Sequence, residues 1–338
     1  MKKITLLTTL WLIGCWVYAG PVTEHGQLKV NGKQLVDRND QAVVLRGVSF
    51  GWSNWWPQYY NAEAIDILSN DWKCSVLRAA MGVEPDSAYI SDPQSQLALV
   101  TTVIEAAIKN DVYVIIDWHS HGMRTSEAVD FFRQMADRYN QYTNIIYEIF
   151  NEPVMQSWEE IKAYSEEVIQ AIREFDQNNV ILVGCPHWDQ DIHLAANDPL
   201  TDCPNIMYTL HFYAATHKAW LIERANDALN KGIPIFISEC AAMEASGDGP
   251  LDLDSWNTWL NWAEDNQISW VCWSVSPKNE SCSMMKETAL PQGPWKDEDL
   301  KEWGILTRHT IRQYNTNTDS TDTTDVSRYL SDIYPAFL

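Results

Sequence analysis

Two glutamates stand where chemistry is easiest to arrange. Glu152 follows an apolar run in Asn151-Glu152-Pro153, and Glu239 closes another in Ile237-Ser238-Glu239-Cys240. Two carboxyls delivered by different strands suit cleavage of a glycosidic bond, which needs one protonated carboxyl at the leaving oxygen and one ionised carboxylate at the anomeric carbon. Other runs also end on polar or aromatic residues: Arg78 after Leu77, His119 in Asp117-Trp118-His119-Ser120-His121, His211 and Tyr213 in His211-Phe212-Tyr213, and Trp273. Glu148 is the rival carboxylate, but it lies inside its run and reads as the partner of another polar group. His119 and His121 pair two imidazoles with no third ligand at a familiar spacing, and no CxxC is present, so neither a metal nor a cofactor is expected.

The elements that must position these residues are legible as eight apolar runs: 44–48, 76–80, 112–117, 145–150, 180–184, 206–210, 233–238 and 268–274. Nearly all are continuous rather than alternating, as parallel strands buried on both faces require. Between them lie amphipathic helical patterns. Leu97, Val100, Ile104, Ala107 and Ile108 form one stripe, and Ile161, Tyr164, Val168, Ile172 and Phe175 another. Strands alternating with helices give βαβ units. Eight of them, with no Gly-rich phosphate loop, predict an α/β fold, a (β/α)₈ barrel rather than an open doubly wound sheet. Functional side chains of such a barrel gather where strands end. The runs on either side of Asn31-Gly32 predict an N-terminal β-hairpin capping one end. Trp52 and Trp188, just after the first and fifth strands, read as sugar platforms, because flat indole faces stack on the C–H faces of sugar rings.

Composition narrows the partner. The 338 residues carry a formal charge of -22, which repels nucleic acid and anionic lipid. A neutral polysaccharide fits better, and 17 tryptophans agree with it. Residues 1–19, with Lys2, Lys3 and an apolar stretch from Ile4 to Val17, read as an export signal too short to span a membrane. The segment Leu12-Ile13-Gly14-Cys15 offers lipid anchoring through Cys15 as the alternative to release. Residues 20–315 are expected to form one catalytic domain, and 316–338 a polar linker or tail. Six further cysteines follow. A Cys185–Cys203 bridge across a loop is the expected pairing, whereas Cys240 and Cys272 sit in apolar strands as buried thiols. A monomer is expected.

The segments Ile146-Tyr147-Glu148-Ile149-Phe150-Asn151-Glu152-Pro153 and Ile237-Ser238-Glu239-Cys240 resemble the two signature segments of family five glycoside hydrolases, the cellulase-type barrels. The similarity runs from about Gly26 to Tyr314, and Tyr60-Asn61-Ala62-Glu63 with Arg78-Ala79-Ala80-Met81-Gly82-Val83-Glu84 points to the endo-β-1,4-glucanase subgroup. The resemblance implies a retaining hydrolase of β-glucan chains. Glu152 would be the general acid/base and Glu239 the nucleophile, oriented by Arg78 and Tyr213. Asn151 would bond the sugar 2-hydroxyl, His119 and His211 would bond hydroxyls at the cleavage point, and Trp273 would floor the pocket. Lys278 and Glu280 are implied on the substrate-side loop. That loop has Pro277 where cellulases often have Asp, and Cys240 stands where Trp or Phe is frequent, so the departures fall on subsites. A β-mannanase, xyloglucanase or mixed-linkage glucanase is the near alternative on the same frame. A carbohydrate-binding barrel without catalysis is the distant one.

Overall fold

The computed structural model describes residues 19–316. The expected export signal (residues 1–19, with Cys15) and the expected tail (316–338) lie outside the described residues, apart from residue 19 and Thr316.

Two short strands, β1 (Lys29–Asn31) and β2 (Gln34–Val36), form an antiparallel hairpin. Its loop is Gly32-Lys33 rather than Asn31-Gly32, for Asn31 pairs with Gln34 as the last rung. Gly32 alone takes a left-handed φ of 60°, which suits glycine at the first central position of a tight turn. Eight strands then close a barrel: β3 (Arg46–Phe50), β4 (Val76–Gly82), β5 (Tyr113–His119), β6 (Ile145–Glu148), β7 (Val180–Val183), β8 (Ile206–Tyr213), β9 (Ile235–Ala241) and β10 (Trp270–Val275). The strands pair in chain order, every pair is parallel, and β10 closes onto β3. The expected (β/α)₈ barrel with its N-terminal hairpin is therefore the observed fold. The first strand begins two residues later than the apolar run because Val44 belongs to the lead-in, and the fourth stops at Glu148.

Helices cover the outside, and their ends are chemically marked. The helix Trp158–Arg173 opens on a capping box, with Ser157 and Glu160 satisfying each other's backbone N–H groups. Asn61, Asp92 and Asp252 cap the helices that follow them. Val100, Ile104 and Ala107 are buried as the stripe predicts, whereas Phe175 falls beyond its helix and is exposed. Thr316, expected to start the tail, is the last residue of the closing helix Glu302–Thr316.

The expected Cys185–Cys203 bridge is absent: all six described cysteines are free thiols. The reason is topological. Cys185 lies just past the end of β7, and Cys203 lies before the start of β8. Because Ile181 pairs with Ile206 in a parallel register, the two sulfurs belong to opposite ends of the wall. Cys240 and Cys272 are fully buried, as expected.

Candidate active site

All the site residues gather at the end of the barrel where the strands finish. Inward-facing positions alternate along a strand, so Val76 and Arg78 share a face, as do Tyr113, Ile115, Asp117 and His119, and Met207, Thr209, His211 and Tyr213. Strand β9 breaks that rule. Thr209 pairs with Phe236 but His211 pairs with Glu239, so three residues of β9 oppose two of β8. This one-residue bulge turns Glu239 inward where strict alternation from Phe236 would turn it out.

Arg78 is fully buried and organises the floor. Its guanidinium faces Asp117 at 2.9 Å, Glu148 at 2.6 Å and Glu239 at 3.1 Å, and it donates to Asn151 Oδ1 at 2.6 Å. Burial works against its charge, but those three carboxylates outweigh the cost and hold it cationic. Glu148 is thereby an internal partner of Arg78, as its mid-strand place suggested. Glu239 uses both oxygens: Oε2 accepts from Arg78 and Oε1 accepts from the Tyr213 hydroxyl at 2.7 Å. Burial raises the Glu239 carboxyl above its ordinary range, and the neighbouring charge of Glu152 adds to the rise.

Glu152 lies beyond β6, yet its backbone is still held in strand fashion. Asn151 N–H donates to Trp118 O at 3.1 Å, and Glu152 N–H donates to Ser120 O at 3.2 Å. Its Oε1 meets His211 Nδ1 at 2.9 Å, and its Oε2 meets His121 Nε2 at 3.2 Å. Burial raises this carboxyl, but the hydrogen bonds from the two histidines prevail and hold it down at about 2. His211 also touches Ser238 Oγ at 2.9 Å and faces Asp189 at 3.3 Å. Burial pushes Asp189 up to about 8. A carboxylate oxygen of Glu152, one of Glu239 and a ring nitrogen of His211 all lie within 4.8 Å of one another. That trio is the described grouping closest to an ion cage. Each member is already hydrogen-bonded within the protein, so it reads as a proton-sharing cluster.

Above this floor is a cavity of about 160 Å³ lined by Trp52, Trp55, Trp56, His119, His121, Glu152, Tyr213, Glu239, Trp273, Lys278, Glu280 and Cys282, among others. Trp273 stacks on His119 with ring centroids 5.1 Å apart and planes 5° apart. Trp52 meets the same imidazole edge-on at 4.3 Å. His119 is pushed well below the ordinary histidine range by burial and by Arg78, which leaves it neutral, with Nδ1 2.7 Å from Asp117. Lys278 and Glu280 form an ion pair at 2.5 Å on the cavity wall. Trp188 stands elsewhere. It is 38% exposed, outside this cavity, in a turn where His187, Trp188 and Asp189 all take left-handed φ near 60°. Its N–H donates to Pro153 O at 2.9 Å, which ties it to the loop of Glu152. Strands β3 and β7 are four places apart in a ring of eight, so Trp52 and Trp188 flank the mouth from opposite sides.

The structure thus brings Glu152, Glu239, Arg78, His119, Asn151, His211, Tyr213, Trp273, Trp52, Lys278 and Glu280 into one locality, with Trp188 at its margin. The sequence offered His121 only as half of a metal pair, and gave no role to Asp117, Ser238 or Asp189. The parity of Asp117 with His119 was a usable signal. Asp189 and His121 belong to loops whose turns give none.

Comparison with known proteins agrees with this geometry. The family profile described as cellulase (glycosyl hydrolase family 5) matches residues 36–279. Endoglucanase Z of Dickeya dadantii is 40% identical over 308 residues, covering 89% of this chain and 70% of that protein. An endoglucanase of Clostridium saccharobutylicum is 38% identical over 302 residues, covering 87% and 67%. Among solved structures, the catalytic domain of a Thermobifida fusca endoglucanase superposes with a TM-score of 0.82 at 30% identity, covering 87% of this chain and 99% of that one. A barrel with paired carboxylates at its strand ends and a profile match across most of its length place this chain in glycosyl hydrolase family 5.

Proposed function

We propose that the chain is an endo-acting, retaining β-1,4-glucanase that cuts internal bonds of cellulose-like polysaccharides. One observation carries the reading: oxygens of Glu152 and Glu239 lie within 4.8 Å of each other across the mouth of the barrel. Retaining hydrolases hold their two carboxyls about 5 Å apart, because the second must bond carbon directly, whereas inverting ones leave room for a water.

Glu239 attacks the anomeric carbon while Glu152 gives a proton to the departing oxygen, and a glycosyl ester forms. Water then attacks that ester, with Glu152 taking its proton. Arg78 and Tyr213 aim Glu239 and favour its ionised form against the rise that burial causes, because each donates to one of its oxygens. The Asn151 amide accepts from Arg78 through its oxygen while its buried Nδ2 has no partner among the described residues, which suits a donor awaiting the sugar 2-hydroxyl. Trp273 and His119 floor the pocket, and Trp52 and Trp188 carry sugars on either side of the cut. Platforms on both sides of the carboxyl pair let a chain run through, which favours internal cleavage. The relatives described above are named endoglucanases, and a second Thermobifida fusca structure is described as a complex with cellotetraose.

Residues 1–19 direct export, with lipid anchoring through Cys15 as the variant form, and the enzyme works as a monomer on an extracellular substrate. Among the described residues no helix is long and apolar enough to cross a membrane. The deciding experiment presents soluble carboxymethylcellulose, mannan, xyloglucan and mixed-linkage glucan and counts new reducing ends. Cleavage of carboxymethylcellulose with a fast fall in viscosity is expected. Preference for mannan or xyloglucan overturns the specificity, and a first product in the α form by NMR overturns retention.

A further inference from the structure

The two oxygens of Glu152 are not equivalent. Oε1 meets His211, which is 1% exposed and pinned on its other nitrogen by Ser238. Oε2 meets His121, which lines the cavity and whose side chain is 45% exposed. A leaving sugar oxygen arriving from the cleft therefore reaches Oε2, where His121 now stands. His121 is not loosely placed. Glu84 accepts hydrogen bonds from the Ser120 hydroxyl and from Gly122 N–H at 3.1 Å, clamping the residues on either side of it. Its ring lies 5.6 Å from that of Trp52.

We propose that His121 is a positioning residue that stores, in the resting enzyme, the proton with which Glu152 protonates the leaving sugar oxygen. The inference rests on Glu152 being the acid/base. Three carboxylates face the imidazole, Glu152 from beyond β6, Glu84 from beyond β4 and Glu239 from β9, while its neighbour His119 is neutral. Burial lowers His121, but the bond to Glu152 and these charges prevail and raise it above the ordinary histidine range. The carboxyl beside it is held down, so the resting arrangement is imidazolium with carboxylate.

The step balances. The Nε2–H bond of His121 breaks as an O–H bond forms on Oε2, leaving a neutral imidazole and a neutral carboxyl. That O–H then breaks as one forms on the leaving oxygen, the C1–O bond cleaves, and Glu239 bonds C1. In the second half, Glu152 takes a proton from the attacking water and returns it to His121. The active form needs one proton on the His121–Glu152 pair, and that proton is lost as pH rises through the raised value of His121. His211, on the other oxygen of Glu152, already holds a proton of its own beside Asp189, Glu148 and Glu152, so with the His121 imidazole removed the second proton has only the carboxyl to sit on and is lost at lower pH.

The test is the pH profile of kcat/KM for the full chain with His121→Gln, which keeps a donor toward Oε2 but cannot titrate. With soluble glucan, the alkaline limb is expected to fall by about one pH unit or more, while the acid-side plateau drops by no more than about threefold. With dinitrophenyl cellobioside, whose leaving group needs no proton, the limb should not move. Nitrogen NMR of the His121 ring, assigned by its loss in His121→Gln, should titrate with the alkaline limb in the parent and move toward the ordinary histidine value in Glu152→Gln. An alkaline limb that stays or rises in His121→Gln overturns the proposal, as does a ring that is neutral throughout the active range. Failure of the underlying assignment reads differently: Glu152→Gln then still cleaves unactivated glucan, whatever His121→Gln does.

Discussion

The same inward columns of the barrel wall carry opposite chemistry at their two ends. On β4, Val76 gives way to Arg78; on β5, Tyr113 and Ile115 give way to Asp117 and His119; on β6, Ile146 gives way to Glu148; on β9, Phe236 gives way to Glu239. The lower residues form one apolar cluster, sealed beneath by Val22, Leu28 and Leu35 from the N-terminal segment. The upper ones bury a cation among three carboxylates. Apolar area removed from water stabilises the fold by roughly 25 cal/mol per Å². Removing ions from water costs several kcal/mol each before pairing. One end of each strand therefore stabilises the barrel, and the other is a polar site the barrel is strong enough to hold.

Substitution at the upper end should abolish chemistry and spare the fold. Glu239→Gln is expected to lower kcat on glucan by on the order of 10⁴-fold or more, since the nucleophile is gone. It also removes one of several crowded like charges, so the unfolding midpoint should not fall. Steady-state kinetics beside a thermal melt checks both halves. An active Glu239→Gln protein breaks the assignment, and an unfolded one breaks the comparison.

Three residues earlier on the same strand the expectation reverses. Phe236 is fully buried in the lower cluster, and Phe236→Ala leaves a cavity that should cost about 3–5 kcal/mol of stability. Activity measured well below the melt should stay near the parent's, because the bulge between Phe236 and Glu239 lets the upper end keep its own register. Urea unfolding gives the first quantity. A large loss of kcat in a folded Phe236→Ala protein argues that the two ends are mechanically coupled.

The contrast also explains what could be read from sequence. Eight strands were legible because their runs are apolar on both faces, and Glu152 and Glu239 because each is a charge at the end of such a run. A continuous run has no visible parity, however, so the bulge that aims Glu239 and places Ser238 against His211 left no trace in it. Glu148 was legible as an internal residue, but its partner Arg78 lies two strands away, and only the inward curl of the wall brings their side chains together. The Cys185–Cys203 expectation failed for a related reason: closeness in the chain says nothing about which end of a parallel wall each residue occupies. His121 and Asp189 depend on loop conformation, and the left-handed turn at His187-Trp188-Asp189 contains no glycine to announce it.

That turn is the upper end's counterpart to the hairpin below, a loop held in an unfavourable backbone region beside the site. Trp188→Ala should raise KM for polymeric glucan about five- to tenfold, the loss of one stacking platform, with kcat little changed. A dinitrophenyl cellobioside whose leaving group ends before Trp188 should be cut as before. Equal loss on both substrates places Trp188 in support of the Glu152 loop, through its bond to Pro153, rather than in contact with sugar.

The smallest effect is expected at the lower end, in the hairpin turn. Gly32 has a φ of 60° and open space where a Cβ would project, so Gly32→Ala meets no clash and pays only the left-handed backbone penalty, about 1 kcal/mol. The hairpin places Leu35 in the lower cluster, so loosening the turn probes how tightly that plug is seated. A uniform drop of that size in urea unfolding, with unchanged kcat, means the hairpin unfolds with the barrel. Early loss of amide protection confined to residues 29–36 means the plug opens on its own, and the lower end is then itself divided into a rigid wall and a detachable floor.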